Sequence, residues 1–303
     1  MSQVPAAPKL KRAALAAASR LFGPRLSRHG ESLLLSERAA LDLAIARSGR
    51  PRPRADTVTF LIPLVSPDHV SDWGSVVRRL GQTLQSLRDQ GNPNWRAVIC
   101  CQTEPPLPRD SRITHLPFDD PTPGNDKWRK LAALCEHLPA VATTPGYVMS
   151  FDADDLLRQG TVAEMLDRQA PGGYLVRAGY VMDAATGAIA LADAPSLRAP
   201  LRKPFWKLCG SCAALFHDPA LPESRSFLRA MTQHEHRMFP YLASLARQRL
   251  TPLARPSVLY VLNHGENFGA RRGRVGFKTR FVQRYRITDP AQLKGISRDF
   301  PTP

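Results

Sequence analysis

The sequence has no apolar run approaching the roughly 20 residues that a membrane-spanning helix requires. Its Ala-rich run at 13–18 is too short and too weakly apolar for a secretory signal. The chain is therefore expected to be made and kept in the cytosol, with any membrane contact peripheral at the inner face. Cysteine is scarce and odd in number: Cys100, Cys101, Cys135, Cys209 and Cys212. Three of these sit in apolar contexts typical of reduced core thiols rather than a disulfide framework. Cys209-Gly210-Ser211-Cys212 has the gap of a zinc or redox pair, but no second pair or His-x-x-x-His partner completes it, so it is read as structural. Internal repeats and long low-complexity tracts are missing too, which excludes repeat arrays.

Acidic residues are few beside basic ones, 26 against 42, for a net charge of +16. The imbalance lies at the ends. Residues 1–54 hold eleven Lys/Arg against three Asp/Glu, and residues 268–303 hold nine against two, leaving the middle near neutral. Such ends attract anionic lipid head groups or nucleic acid through the same screened field, or simply keep the protein soluble. Nucleic acid is disfavoured because the basic ends are not interleaved with aromatic residues that would stack on bases.

What is present is enough apolar sequence, 43% of 303 residues, for one large core or a main domain with a modest appendage. Residues 1–28 are expected to be mobile. Residues 31–47 read as an amphipathic helix, with Leu34, Leu35, Leu41, Leu43 and Ile45 among charged residues. That helix either caps the rest of the molecule or lies on a membrane surface. Arg50-Pro51-Arg52-Pro53-Arg54 is a linker, since proline fixes the backbone and denies it ladder hydrogen bonds. The expected division is a basic helical extension with linker at 1–54, a main domain at 55–267 and a basic tail at 268–303.

From residue 57, strands and helices alternate, the signature of a parallel sheet covered on both faces. Strands are expected at 57–65, 95–102, 112–116 and 147–151. Helices are expected at 73–90, with Val76, Val77, Leu80, Leu84 and Leu87 inward, and at 127–138, with Trp128, Leu131, Leu134 and Cys135 inward. Thr161-x-x-Glu164 reads as a capping box. Past it, residues 174–182 and 188–191 read as a hairpin turning at Thr186-Gly187. Strands at 212–216 and 258–262 surround a helix at 234–247. The expected fold is α/β: a mostly parallel, doubly wound half followed by a mixed, substrate-facing half.

The main chemical signal is Asp152-Ala153-Asp154-Asp155, directly after the apolar Tyr147-Val148-Met149-Ser150-Phe151. In a parallel sheet the carboxyl ends of the strands open the ligand crevice, and alternation puts Asp152 and Asp154 on one side. Hard oxygen ligands there suit Mg²⁺ or Mn²⁺ bridging a diphosphate. Aspartates also form turns and helix caps after strands. Three carboxylates in four positions repel one another unless a cation or a cationic side chain neutralises them.

Several segments together resemble the nucleotide-binding half of the GT-A glycosyltransferases, particularly the large inverting family 2. They are the strand Phe60-Leu61-Ile62-Pro63, the stretch Thr83-Leu84-Gln85-Ser86-Leu87-Arg88-Asp89-Gln90 leading to Trp95-Arg96-Ala97-Val98-Ile99, Gly124-Asn125-Asp126-Lys127-Trp128-Arg129-Lys130, and Asp152-Ala153-Asp154. The resemblance covers about the central two-thirds of the chain, more loosely past Asp155, and makes 55–267 a GT-A catalytic domain.

It implies a Mn²⁺ or Mg²⁺ cofactor held by Asp152, Asp154 and the late-chain His264, with Pro63, Lys127, Lys130 and Asp152 on the donor side. The family usually has an Asp after the second strand to contact the base. Here Cys101-Gln102-Thr103-Glu104 stands in that place, and Gln102 or Glu104 is the substitute acceptor. Trp206, in Phe205-Trp206-Lys207, matches an acceptor-side ring that stacks on sugar, or is a core tryptophan. Glu235, in Gln233-His234-Glu235-His236, matches the catalytic base, or complements a helix N-terminus.

The activity implied is sugar transfer from a nucleoside diphosphate sugar to a glycan or lipid-linked glycan, with inversion. The rivals are a sugar nucleotidyltransferase, opposed by the missing Gly-rich basic loop near the first strand, and a non-catalytic nucleic-acid or membrane-binding module.

Overall fold

The computed structural model of the chain describes residues 3–29, 32–120, 122, 124–265 and 275–301. The first half runs through helices α1 (Lys9–Ser27) and α2 (Leu35–Ala46), strand β1 (Thr57–Pro63), helix α3 (Trp73–Arg88), strands β2 (Trp95–Cys101) and β3 (Ile113–Pro117), helix α4 (Lys127–Val141), strands β4 (Gly146–Ser150) and β5 (Leu156–Leu157), and helix α5 (Thr161–Arg168). The second half adds β6 (Gly173–Leu175), β7 (Gly179–Asp183), β8 (Ala188–Ala192), β9 (Ala213–His217), α6 (Pro222–Thr232), α7 (Phe239–Leu245), β10 (Thr251–Pro252), β11 (Val258–Leu262), α8 (Val275–Arg284) and α9 (Pro290–Asp299).

The molecule is mixed α/β, built on a seven-stranded sheet in the order β10-β6-β9-β4-β1-β2-β3 and a four-stranded sheet in the order β5-β11-β7-β8. In the large sheet β1 pairs in parallel with β2 and β4, and β2 with β3. Strand β9 is antiparallel to both β4 and β6. Val58, Phe60, Leu61 and Ile62 of β1 are all buried, the near-continuous apolar run of a strand covered on both faces. Helices α3 and α4 bury the apolar stripes expected of them: Val76, Leu80, Leu84 and Leu87 on one, Trp128, Leu131, Leu134 and Cys135 on the other. The five cysteines are buried free thiols.

The N-terminal region differs from expectation. Residues 9–27, expected to be mobile, form α1, a run of good helix formers broken only where Gly23 (φ 81°) precedes Pro24. The segment before it is tied down by a parallel bridge from Val4 to His234. The helix expected over 31–47 spans Leu35–Ala46, and Glu31 lies outside the described residues. Its Leu41 and Leu43 are fully buried, while Leu35 is exposed. Glu37 is buried too, accepting the Leu34 N–H at 2.9 Å and the Tyr241 hydroxyl at 2.8 Å. The leucine face of α2 thus docks on α6 and α7 and is not presented to a membrane.

Four further expectations are corrected. Thr161 is the first helical residue of α5 after a left-handed Gly160, its hydroxyl donates to the Arg158 carbonyl, and Glu164 pairs with Arg158 and Arg168, so no capping box forms. Residues 174–182 divide between β6 in the large sheet and β7 in the small one, although the β7–β8 hairpin turning at Gly187 is as expected. The expected helix at 234–247 is a short 3-10 turn, His236–Met238, followed by α7. The described part of the basic tail forms α8 and α9, which bury Phe281, Val282 and Ile296, with Phe300 buried just past α9. Among the described residues no helix is long and apolar enough to cross a membrane.

Candidate functional site

Strand β4 leaves the large sheet at Ser150, and β5 enters the small sheet at Leu156. The carboxylates of residues 152–155 occupy the turn between them, closed by the Asp155 N–H donating to the Asp152 carbonyl at 3.2 Å. They therefore sit on the seam between two sheets. From the small sheet, β11 ends at Leu262 and delivers His264 to the same place.

Each aspartate meets a different partner. Asp152 Oδ1 lies 2.7 Å from the Lys127 ammonium at the start of α4. Its backbone N–H donates to Ser211 Oγ at 2.8 Å. Asp154 Oδ2 lies 2.7 Å from His264 Nε2. Asp155 turns into the core and accepts from the Ser211 hydroxyl and from the Cys209 thiol at 3.1 Å. Burial above all, with the Asp154 and Asp152 charges added, raises its pKa well above the usual carboxylate range. Cys209 therefore belongs to the support of this turn, and burial pushes its thiol well above its ordinary pKa. Burial opposes the charge on Lys127, but Asp152 and Asp154 more than offset it and raise its pKa.

A cavity of about 520 Å³ opens over this turn. Its wall includes Pro63 from the end of β1, Lys127 and Lys130 from α4, Asp152 and Asp154, Glu235, and His264. Lys130 is turned inward, 2.8 Å from Asp126 and donating to the Leu64 carbonyl at 2.6 Å, so it braces α4 against the end of β1. Glu235 is the residue before the 3-10 turn, and its side chain makes no capping hydrogen bond there.

The cavity also gathers residues that the sequence did not single out: Arg79, Lys207, His236, Arg237, Tyr260 and Lys278. Arg79 donates to the His264 carbonyl at 2.9 Å and so fixes that loop. Lys278, from α8, donates to the Tyr260 hydroxyl at 2.7 Å, and burial lowers its pKa although the nearby carboxylates act the other way. Burial likewise lowers His236 to about 4, leaving a neutral imidazole at neutral pH. His236 adjoins Glu235 in sequence, which is the one local signal that would have drawn it in. Lys278 gave no such signal within a basic stretch.

Three expected residues lie elsewhere. Gln102 donates to Asp126 at 2.7 Å, Glu104 is exposed, and Trp206 is half-buried against the core with the Lys207 ammonium 5.2 Å over its ring; none of the three lines the cavity. Among the described residues no group of three or more His, Cys, Asp or Glu side chains is arranged to hold a metal ion. What the fold assembles is a pair, Asp154 with His264, beside an Asp152 whose charge is met by Lys127. The chemistry available is an anion site of basic side chains around two accessible carboxylates. No protein-family model matches the chain, and no curated protein matches it significantly.

Proposed function

We propose that the protein is a GT-A type glycosyltransferase that moves a sugar from a nucleoside diphosphate sugar to a hydroxyl of a glycan or lipid-linked glycan, with inversion. The observation that carries this is the Asp152-Ala153-Asp154 turn on the seam of the two sheets, set in a cavity rimmed by Lys127, Lys207, Lys278, Arg79 and Arg237. A leaving diphosphate gathers negative charge, and preformed cations in a partly enclosed site stabilise that charge more than water does. The mostly parallel sheet, with antiparallel β9 beside β4, is compatible with the GT-A type.

The donor set of two carboxylates and one imidazole is of the kind that takes Mn²⁺ or Mg²⁺. Asp154 and His264 already converge, and Asp152 would join them by exchanging its Lys127 partner. A metal bound there would neutralise diphosphate charge as a Lewis acid. The remaining work falls to the chain's own residues. Lys127 and Lys278 hold donor oxygens, and Glu235 accepts the acceptor's proton as the acceptor oxygen bonds to the anomeric carbon and the bond to the diphosphate breaks.

Thermal unfolding in a panel of UDP-, GDP- and dTDP-linked sugars, each with and without Mn²⁺, tests this assignment. One nucleotide class is expected to raise the transition temperature in a Mn²⁺-dependent way, because a ligand that binds only the folded state stabilises it by mass action. No shift with any donor would contradict it.

A further inference from the structure

The outward face of α1 is apolar. At 100° per residue, Leu10, Ala13, Ala14, Ala17 and Leu21 fall within roughly 100° of arc on the helix before its kink. All five are exposed, Leu10 at 86% and Leu21 at 77%. The opposite side of α1 faces the protein: Ser19 is buried, Leu15 packs on the core, and Arg12 lies over the Tyr241 ring. A helix laid on a soluble surface ordinarily turns its polar side outward, whereas this one exposes two leucines and three alanines beside its basic residues. Exposed Lys9 and Arg20 border the apolar stripe, Arg25 follows the kink, and Phe22 beside it is 65% exposed.

We infer that α1 is a docking surface for an anionic lipid membrane, lying in the plane of the interface with Leu10 and Leu21 in the acyl boundary and Lys9, Arg20 and Arg25 among the head groups. Charge complementarity selects this occupant. Residues 9–27 hold five Lys/Arg and no Asp or Glu, and residues 1–54 carry an excess of eight positive charges. Attraction of these basic residues to anionic head groups adds to burial of the two leucines.

The position of α1 gives the docking a consequence. Gln3 lines the cavity, and Val4 donates its N–H to the Gln233 carbonyl at 2.9 Å, two residues from Glu235. Five residues lie between Gln3 and Lys9, six Cα–Cα steps that span at most about 20 Å. A docked α1 therefore holds the Glu235 side of the cavity close to the bilayer. On the glycosyltransferase reading, and resting on it, the acceptor is then lipid-linked. The docking itself does not depend on that reading.

Co-sedimentation of the full chain with phosphatidylglycerol/phosphatidylcholine vesicles, against pure phosphatidylcholine vesicles, tests it. The protein is expected to bind the anionic vesicles at least tenfold more tightly than the neutral ones and to release as salt rises. The double variant Leu10→Gln/Leu21→Gln, whose side chains are solvent-exposed, should lose at least tenfold in affinity with an unchanged thermal transition. Lys9→Gln/Arg20→Gln should weaken binding and flatten its salt dependence. Equal binding to neutral vesicles, no binding at low salt, or variants that bind like the parent would overturn the inference. So would a dimer that Leu10→Gln/Leu21→Gln converts to monomer without any vesicle binding, since a second copy would then cover the face. Nucleotide-sugar binding measured in solution on the same variants separates failure of the docking from failure of the activity.

Discussion

Asp152, Asp154 and Asp155 fall within four positions, yet the fold gives them three different fates: an ion pair with Lys127, a contact with His264, and burial beside Ser211 and Cys209. Lys127 meets the charge of one accessible carboxylate, His264 Nε2 lies against the other, and the third is buried. The clustering was legible because three carboxylates in four positions repel one another unless they are neutralised or buried. The inward turn of Asp155 was not, because alternation along an extended chain does not apply to residues in a turn. The resemblance puts Lys130 on the donor side, and only its register on α4 brings it to the Leu64 carbonyl. Glu235 lines the cavity, and its side chain does not cap the 3-10 turn that follows it. Glu235→Gln is expected to keep donor affinity while single-turnover transfer falls by about 10²–10⁴-fold, since the amide is nearly isosteric but does not take up a proton. A wild-type transfer rate in this variant would remove Glu235 from the chemistry.

Elements were legible where hydrophobic pattern and length agreed. Strands β1, β2 and β4 and helices α3 and α4 carry long apolar runs or clean helical stripes, and their positions follow from those runs alone. Strands β6 and β7 were read as one because an apolar stretch does not announce that the chain crosses between sheets at Val176 and Arg177. Helix α6 was missed although Phe227, Leu228 and Met231 repeat at helical spacing behind Pro222, a residue suited to the first turn. Helix α2 was legible as amphipathic, but whether its leucines face protein or lipid depends on α6 and α7, which are distant in sequence. Leu41 is fully buried there, so Leu41→Ala should cost about 2–5 kcal/mol in urea unfolding. A change within about 0.5 kcal/mol would mean that α2 does not dock as described.

At the scale of the whole molecule, the described residues of the two basic ends are folded parts of it. The N-terminal end packs α2 on α6 and α7 and brings Gln3 to the cavity, and the C-terminal end buries Phe281 and Val282 and brings Lys278 to the same cavity. The charge asymmetry read from the sequence thus has a local use as well as a surface one: one of its cations, Lys278, lines the cavity over the carboxylate turn. The sequence could not place it there, since Lys278 lies more than a hundred residues from Asp152 and only the seam between the sheets brings them together. The central claim is that this turn is a metal-assisted donor site, and titration calorimetry of the nucleotide sugar with Mn²⁺ into the parent protein and Asp154→Asn tests it most directly. The parent should bind in a Mn²⁺-dependent manner, and the variant should lose that dependence with at least tenfold weaker affinity while its unfolding transition is retained, because an amide is a poorer ligand for a hard cation than a carboxylate. Equal affinity and equal Mn²⁺ dependence in the two proteins would contradict the account.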